Sequence, residues 1–149
     1  MKIVNSRAYF DYNILEKFEL GIVLVGCEVK SIREGRASLQ NAYLSYEKPH
    51  VMIHNMHIGS YPKVPSKDDP MRSRIMLVHK REKNKMMAIG KNSGLTIIPL
   101  ELFWNRRGFA KILCAIVSGK TKYDKRESIK DKEWNRAKEI AVKNRQIVQ

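Results

Sequence analysis

The sequence predicts a mainly β fold, an antiparallel barrel of about six strands with short helices and a basic C-terminal tail. Three observations lead there. Short apolar runs rich in β-branched residues recur up to Val117, turn signals separate them closely, and after Val117 the composition changes to charge.

The elements follow in order. Residues 18–30, FELGIVLVGCEVK, form a β-branched run in which Gly21 and Gly26 predict a bend or bulge. A short helix is expected over 28–35, stopping at Gly35. Residues 42–47, AYLSYE, and 51–58, VMIHNMHI, flank the turn KPH and predict a hairpin. In its first strand Ala42, Leu44 and Tyr46 alternate with Tyr43, Ser45 and Glu47. Residues 59–73 hold three prolines with Gly, Ser and Asp, which predicts a loop long enough to carry function.

The run 75-IMLV-78 predicts a strand, and a helix is expected from about His79 to Lys91. Met86, Met87 and Ile89 would face the core, with Gly94 just past the helix end. Residues 95–104, LTIIPLELFW, and 109–117, FAKILCAIV, surround NRRG as a second hairpin, where Pro99 suggests a strand edge or bulge. Six strands so closely spaced suggest a closed or partly open, OB-like barrel over residues 1–117, followed by a tail over 118–149. A basic barrel of this size is a common binder of single-stranded or structured RNA.

Charge narrows the function. Against 15 Asp and Glu stand 29 Lys and Arg, a net charge of +14, and such a surplus calls for a polyanion. No apolar run approaches a membrane span, and the N-terminus lacks the pattern of a signal peptide. Lys2 stands where myristoylation needs glycine, and no prenylation signal is present. Cys27 and Cys114 sit in apolar, β-like runs and read as free buried thiols, which fits a cytoplasmic protein.

The residues offer no enzyme signature. There is no phosphate-binding loop, no GxSxG and no paired carboxylates at useful spacing. His54 and His57, three apart on an expected strand, would point to opposite faces, so no metal site is expected and no cofactor is implied. Asp68 and Asp69, before Pro70, read as turn-formers.

The tail carries ten Lys and Arg against five acids, about twice as basic per residue as the rest. From about residue 127, Ile129, Trp134, Ala137, Ile140, Ala141, Ile147 and Val148 share one helical arc. The arc is thin, so such a helix is marginal alone. It would either dock on its own barrel through Trp134 or become ordered on a partner. Before it, four cations surround Tyr123 in GKTKYDKR, a pattern suited to stacking on a base while cations meet phosphates.

The motifs 5-NSRAYFDY-12, 18-FELGIVLVGCEVKSIREGRASL-39, 55-NMHI-58, 69-DPMRSR-74, 94-GLTIIPLELF-103 and 119-GKTKYDKR-126 together resemble the SsrA-binding protein family. The resemblance covers nearly the whole chain. It implies an RNA-binding adaptor rather than a catalyst. Such an adaptor binds the tRNA-like domain of transfer-messenger RNA and travels with it to stalled ribosomes in trans-translation. It implies that Glu19, Leu77 and, more weakly, His79 serve that RNA. Lys30, Arg33 and Arg36 would contact phosphates, and Asn5 and Arg7 belong to an RNA-facing N-terminal motif. On residue chemistry alone Leu77 reads as core and Glu19 as an acid paired to Lys17 or Lys30.

For the tail the resemblance implies a ribosome-reading role in the empty decoding centre and mRNA channel. Gly119, Lys120, Lys122, Tyr123, Asp124, Lys125 and Arg126 match its first run, and Trp134 and Ile140 match the downstream helix. Ser6 and Thr121 depart from the family, each standing where a cation is usual. A monomer is expected. The alternatives are a general OB-type RNA binder, which would show several aromatics on one sheet face, and a ribosome-associated structural protein.

Overall fold

The computed structural model describes residues 2–64, 68–90, 94–119 and 122–148, and within them the side chains of all but 122–125, 127–128 and 144–148. The chain forms two compact units, Met1–Gly119 and Lys120–Gln149. The first runs β1 (Lys2–Val4), α1 (Ser6–Asp11), β2 (Tyr12–Ile22), α2 (Gly26–Arg33), β3 (Ala37–Ser38), β4 (Tyr43–Glu47), β5 (His50–His54), β6 (His57–Ile58), β7 (Arg74–Leu77), α3 (Lys80–Ile89), β8 (Leu95–Trp104) and β9 (Ala110–Gly119). The second is the single helix α4 (Lys122–Val148).

Strands pair in the order β1-β8-β4-β5-β7-β2-β9, and a β8–β9 ladder closes all but β1 into a six-stranded antiparallel ring. The expected barrel of six strands is therefore present. Two further short strands among the described residues were not anticipated: β1 on the flank of β8, and β3, which pairs with β6, the detached end of the expected strand 51–58. Leu20, Ile53, Met56, Leu102 and Ile112 are among the buried residues that fill the ring. α2 adds Ile32 and α3 adds Met86 to this core.

A second apolar cluster lies outside the ring, where Ala8 of α1 joins Ile98, Leu100, Ala115 and Val117. Alternate strand residues face opposite sides, so β8 and β9 are buried on both faces here. That is why 97-IIPL-100 and 113-LCAIV-117 read as unbroken apolar runs. Asn5 anchors α1 at this point. Its Nδ2 donates to the carbonyls of Leu39 (3.2 Å) and Pro99 (3.1 Å), and its Oδ1 accepts from the Ala8 N–H.

Several boundaries differ from those expected. The run 18–30 is not one strand: β2 ends at Ile22 and α2 begins at Gly26, so Cys27 is a half-buried helical residue. Helix α2 does stop at Gly35, which adopts φ 77°. The Gly35 N–H bonds Ile32 and the Arg36 N–H bonds Ser31, a Schellman end. The run 51–58 is broken by Asn55 at φ 59°, so His54 and His57 lie on different strands. The β4–β5 turn is the pair Lys48-Pro49 alone, since His50 already pairs with Glu47.

In α3 Met86 is buried, but Met87 is exposed, and the helix is capped by Gly90 rather than Gly94. Lys91 lies outside the described residues. Pro99 marks a bulge in β8 but not a free edge, because β8 is flanked on both sides. Cys114 is buried, and desolvation pushes its thiol well above the usual range, which leaves it unreactive.

The tail helix starts at Lys122, about five residues before its expected start, and so includes the YDKR run. Every described side chain on it is exposed, Trp134 at 65%. Lys138 lies over the Trp134 ring, 5.3 Å from its centre. Among the described residues no helix is long and apolar enough to cross a membrane.

Candidate nucleic-acid interface

Strand register builds the candidate site. Leu20 and Ile22 point into the ring, so Glu19 and Gly21 point outward. Gly21 pairs with Leu77 of β7 on one side and with Lys111 of β9 on the other. Residues directly opposite one another share a face, so Leu77 and Lys111 also face outward. Leu77 is 59% exposed while its neighbour Met76 is buried. This corrects the core reading of Leu77.

Gly21 has a steric reason to be glycine. A Cβ there would lie 3.2 Å from Leu77 Cβ and 3.3 Å from its Cδ1, so the leucine lies across the space a side chain would fill. Only two residue pairs join β2 to β7, and α3 lies along the part of β2 that β7 leaves unpaired on that side, with Lys85 bonding Glu16. The groove between them is lined by Lys17, Glu19, His79, Arg81 and Lys111, among others. Glu19 is exposed and has no ion-pair partner among the described residues, so it is free to accept from a base edge or a 2′-OH. Lys17 instead lies over the Tyr9 ring, and Lys30 over the Tyr61 ring. His79 is exposed at the start of α3, where its N–H donates to Glu82.

The other expected residues lie elsewhere, on the barrel and on the tail helix. Lys30 and Arg33 are exposed on α2, with the Arg33 guanidinium 5.1 Å from the centre of the Trp104 ring. Arg36 follows α2 and bonds Glu34 at 3.1 Å. Arg7 is exposed on α1 and donates to Asp11. Asn5 is only 8% exposed, and its amide nitrogen and oxygen both bond within the fold, where they anchor α1. Gly119 ends β9, and Arg126, Trp134 and Ile140 are exposed on α4. Lys120 lies outside the described residues, as do the side chains of Lys122, Tyr123, Asp124 and Lys125.

His54 and the 59–73 loop serve the fold. His54 exchanges hydrogen bonds with Ser45 (2.8 Å) and Ser73 (2.7 Å). Asp69 Oδ1 accepts from the Met71 N–H, as expected of a turn-former. Sequence reading missed the buried carboxylate of Glu28. It accepts from Arg72 Nε (2.7 Å) and Nη2 (2.8 Å), from Arg74 Nε (2.9 Å) and from the Val25 N–H (3.2 Å). Arg74 also holds the carbonyls of Met56, Arg72 and Pro70. Burial pushes the Glu28 carboxyl upward, but the bonds from Arg72 and Val25 and the Arg74 charge outweigh it and hold it below the usual carboxylate range.

Fold and face together define a class: small basic β-barrel proteins with an outer strand face of mixed charge and an exposed leucine, and with a basic C-terminal helix. A family model described as SmpB protein matches residues 2–144. Relatives called SsrA-binding protein match nearly end to end. That of Wolbachia sp. subsp. Brugia malayi (strain TRS) is 45% identical over 141 residues, 94% of this chain and 95% of the relative. That of Geobacillus sp. (strain WCH70) is 45% identical over 143 residues, 95% of this chain and 92% of the relative. A solved structure described as "tmRNA-SmpB: a journey to the center of the bacterial ribosome" superposes with TM-score 0.69 at 36% identity, covering 86% of this chain and 94% of that one. The chain belongs to the SmpB, or SsrA-binding, protein family.

Proposed function

We propose that this protein is the RNA-binding adaptor of trans-translation: it binds the tRNA-like domain of transfer-messenger RNA and delivers it to stalled ribosomes. The observation that carries the reading is the family match over residues 2–144, which spans both units. The outer face around Glu19, Leu77 and His79 serves the tRNA-like domain. Glu19 accepts from a base edge or a 2′-OH, and Leu77 supplies the apolar contact beside it. Lys30, Arg33, Arg36 and Arg7 meet phosphates.

The tail has a separate role. Gly119, Lys120, Lys122, Tyr123, Asp124, Lys125 and Arg126 occupy the empty decoding centre, and Trp134 and Ile140 lie on the helix that follows the mRNA channel. This work requires binding and stacking and no catalytic step. It belongs to the cytoplasm, where ribosomes stall. The test is reconstituted translation of a message lacking a stop codon, with transfer-messenger RNA supplied. Adding this protein should add the encoded tag to the stalled chain, and an untagged product at saturating protein would refute the reading.

A further inference from the structure

We propose that the RNA surface extends along β9 to the β8–β9 hairpin tip, where Phe109 stacks on an unpaired base and Arg106 and Arg107 meet the flanking phosphates. The inference rests on the reading of the outer β7–β2–β9 face as the RNA surface and names further residues of it. Its first support is register. Lys111 pairs with Gly21 on one side and Phe103 on the other, so Leu77, Lys111 and Phe103 form one outward row across four strands. Phe109 lies in the turn that leads directly into β9, two residues before Lys111. It is 62% exposed, one of the most exposed large apolar side chains among the described residues.

The tip is also pre-shaped. Asn105 Oδ1 accepts from the N–H groups of Arg107 (3.0 Å) and Phe109 (2.8 Å), and the Asn105 N–H donates to the Phe109 carbonyl (2.9 Å). Gly108 takes φ 81°, which lets the turn close. A ring on a rigid turn loses little freedom on stacking. Arg106 and Arg107 are both exposed, and no ion pair among the described residues engages either. An apolar ring flanked by free guanidinium groups suits RNA, because stacking and phosphate contact are supplied side by side.

The test titrates the full chain with the tRNA-like domain over a series of salt concentrations. Phe109→Ala should weaken binding roughly 5- to 150-fold with the salt slope unchanged, and Phe109→Trp should restore it. Replacing Arg106 and Arg107 with Ala should lower the slope of log affinity against log salt by roughly 1.4 to 1.8, the share of two phosphates. Wild-type affinity in Phe109→Ala together with the wild-type slope in the Arg106, Arg107 double variant would overturn the proposal, provided Leu77→Asp still abolishes binding. Were Leu77→Asp also without effect, the outer-face reading itself would fall.

Discussion

Arg74 Nε lies 2.9 Å from Glu28 Oε1 in the interior, and that bond ties the start of α2 to the strand that carries Leu77. Glu28 is 5% exposed and Arg74 1%. Arg72 reaches the same carboxylate from the loop before β7. Two sequence motifs far apart in the chain, EVKSIREGR and DPMRSR, thus meet in one buried ion cluster. The cluster fixes where β7 emerges and therefore where Leu77 stands.

Glu28→Ala strands two guanidinium groups, one of them fully buried. Removing one partner of a buried pair costs about 3–5 kcal/mol, because the remaining charge is left uncompensated. Urea unfolding should show that loss. A cost under about 1 kcal/mol would mean that the cluster is not structural.

The same carboxylate sets an acid limit. Its folded pKa lies below the ordinary glutamate value, so its stabilisation is fully present above the unfolded pKa. That contribution is lost as pH falls through the folded value. Thermal midpoints recorded from neutral pH into the acid range should converge for wild type and Glu28→Gln at the acid end. Parallel curves would remove Glu28 from the acid response.

Leu77 and Met76 are neighbours with opposite surroundings. Met76→Ala should cost about 2–5 kcal/mol of stability, as for a buried side chain. Leu77→Asp should change stability by about 0.5 kcal/mol or less and abolish binding of the tRNA-like domain. Gly21→Val should couple the two effects, since its side chain would displace Leu77 at a cost of about 1–3 kcal/mol. Paired melts and titrations separate the outcomes.

The roles of the barrel and the tail should also separate. Changing Tyr123, Asp124, Lys125 and Arg126 together to Ala should leave RNA binding by the barrel nearly intact and abolish tag addition. A quadruple variant that tags at the wild-type rate would show that the tail does not read the ribosome.

How much of this was legible in the sequence depended on how local the cause was. The β4–β5 and β8–β9 hairpins could be read because alternation and turn residues are local signals. The Schellman end at Gly35 was local too. Helix α1 was not visible, because it is only six residues long and its cap, Asn5, is held by Leu39 and Pro99 from distant parts of the chain. Leu77 read as core because its run is uniformly apolar; only pairing with Gly21 turns it outward. Glu28 and Arg74 carry no sequence mark of their partnership, since 46 residues separate them. Phe109 looked like the first residue of a strand, and its exposure follows from the turn that Asn105 shapes.

The most direct test of the adaptor account is a gel-shift titration with the tRNA-like domain of transfer-messenger RNA, with ordinary tRNA as competitor, at two salt concentrations. The account predicts that binding to the tRNA-like domain survives the higher salt while tRNA binding collapses, because Glu19 and Leu77 add contacts beyond counterion release. If both fall together along one steep slope, charge alone accounts for the binding, and the chain acts as a generic basic barrel.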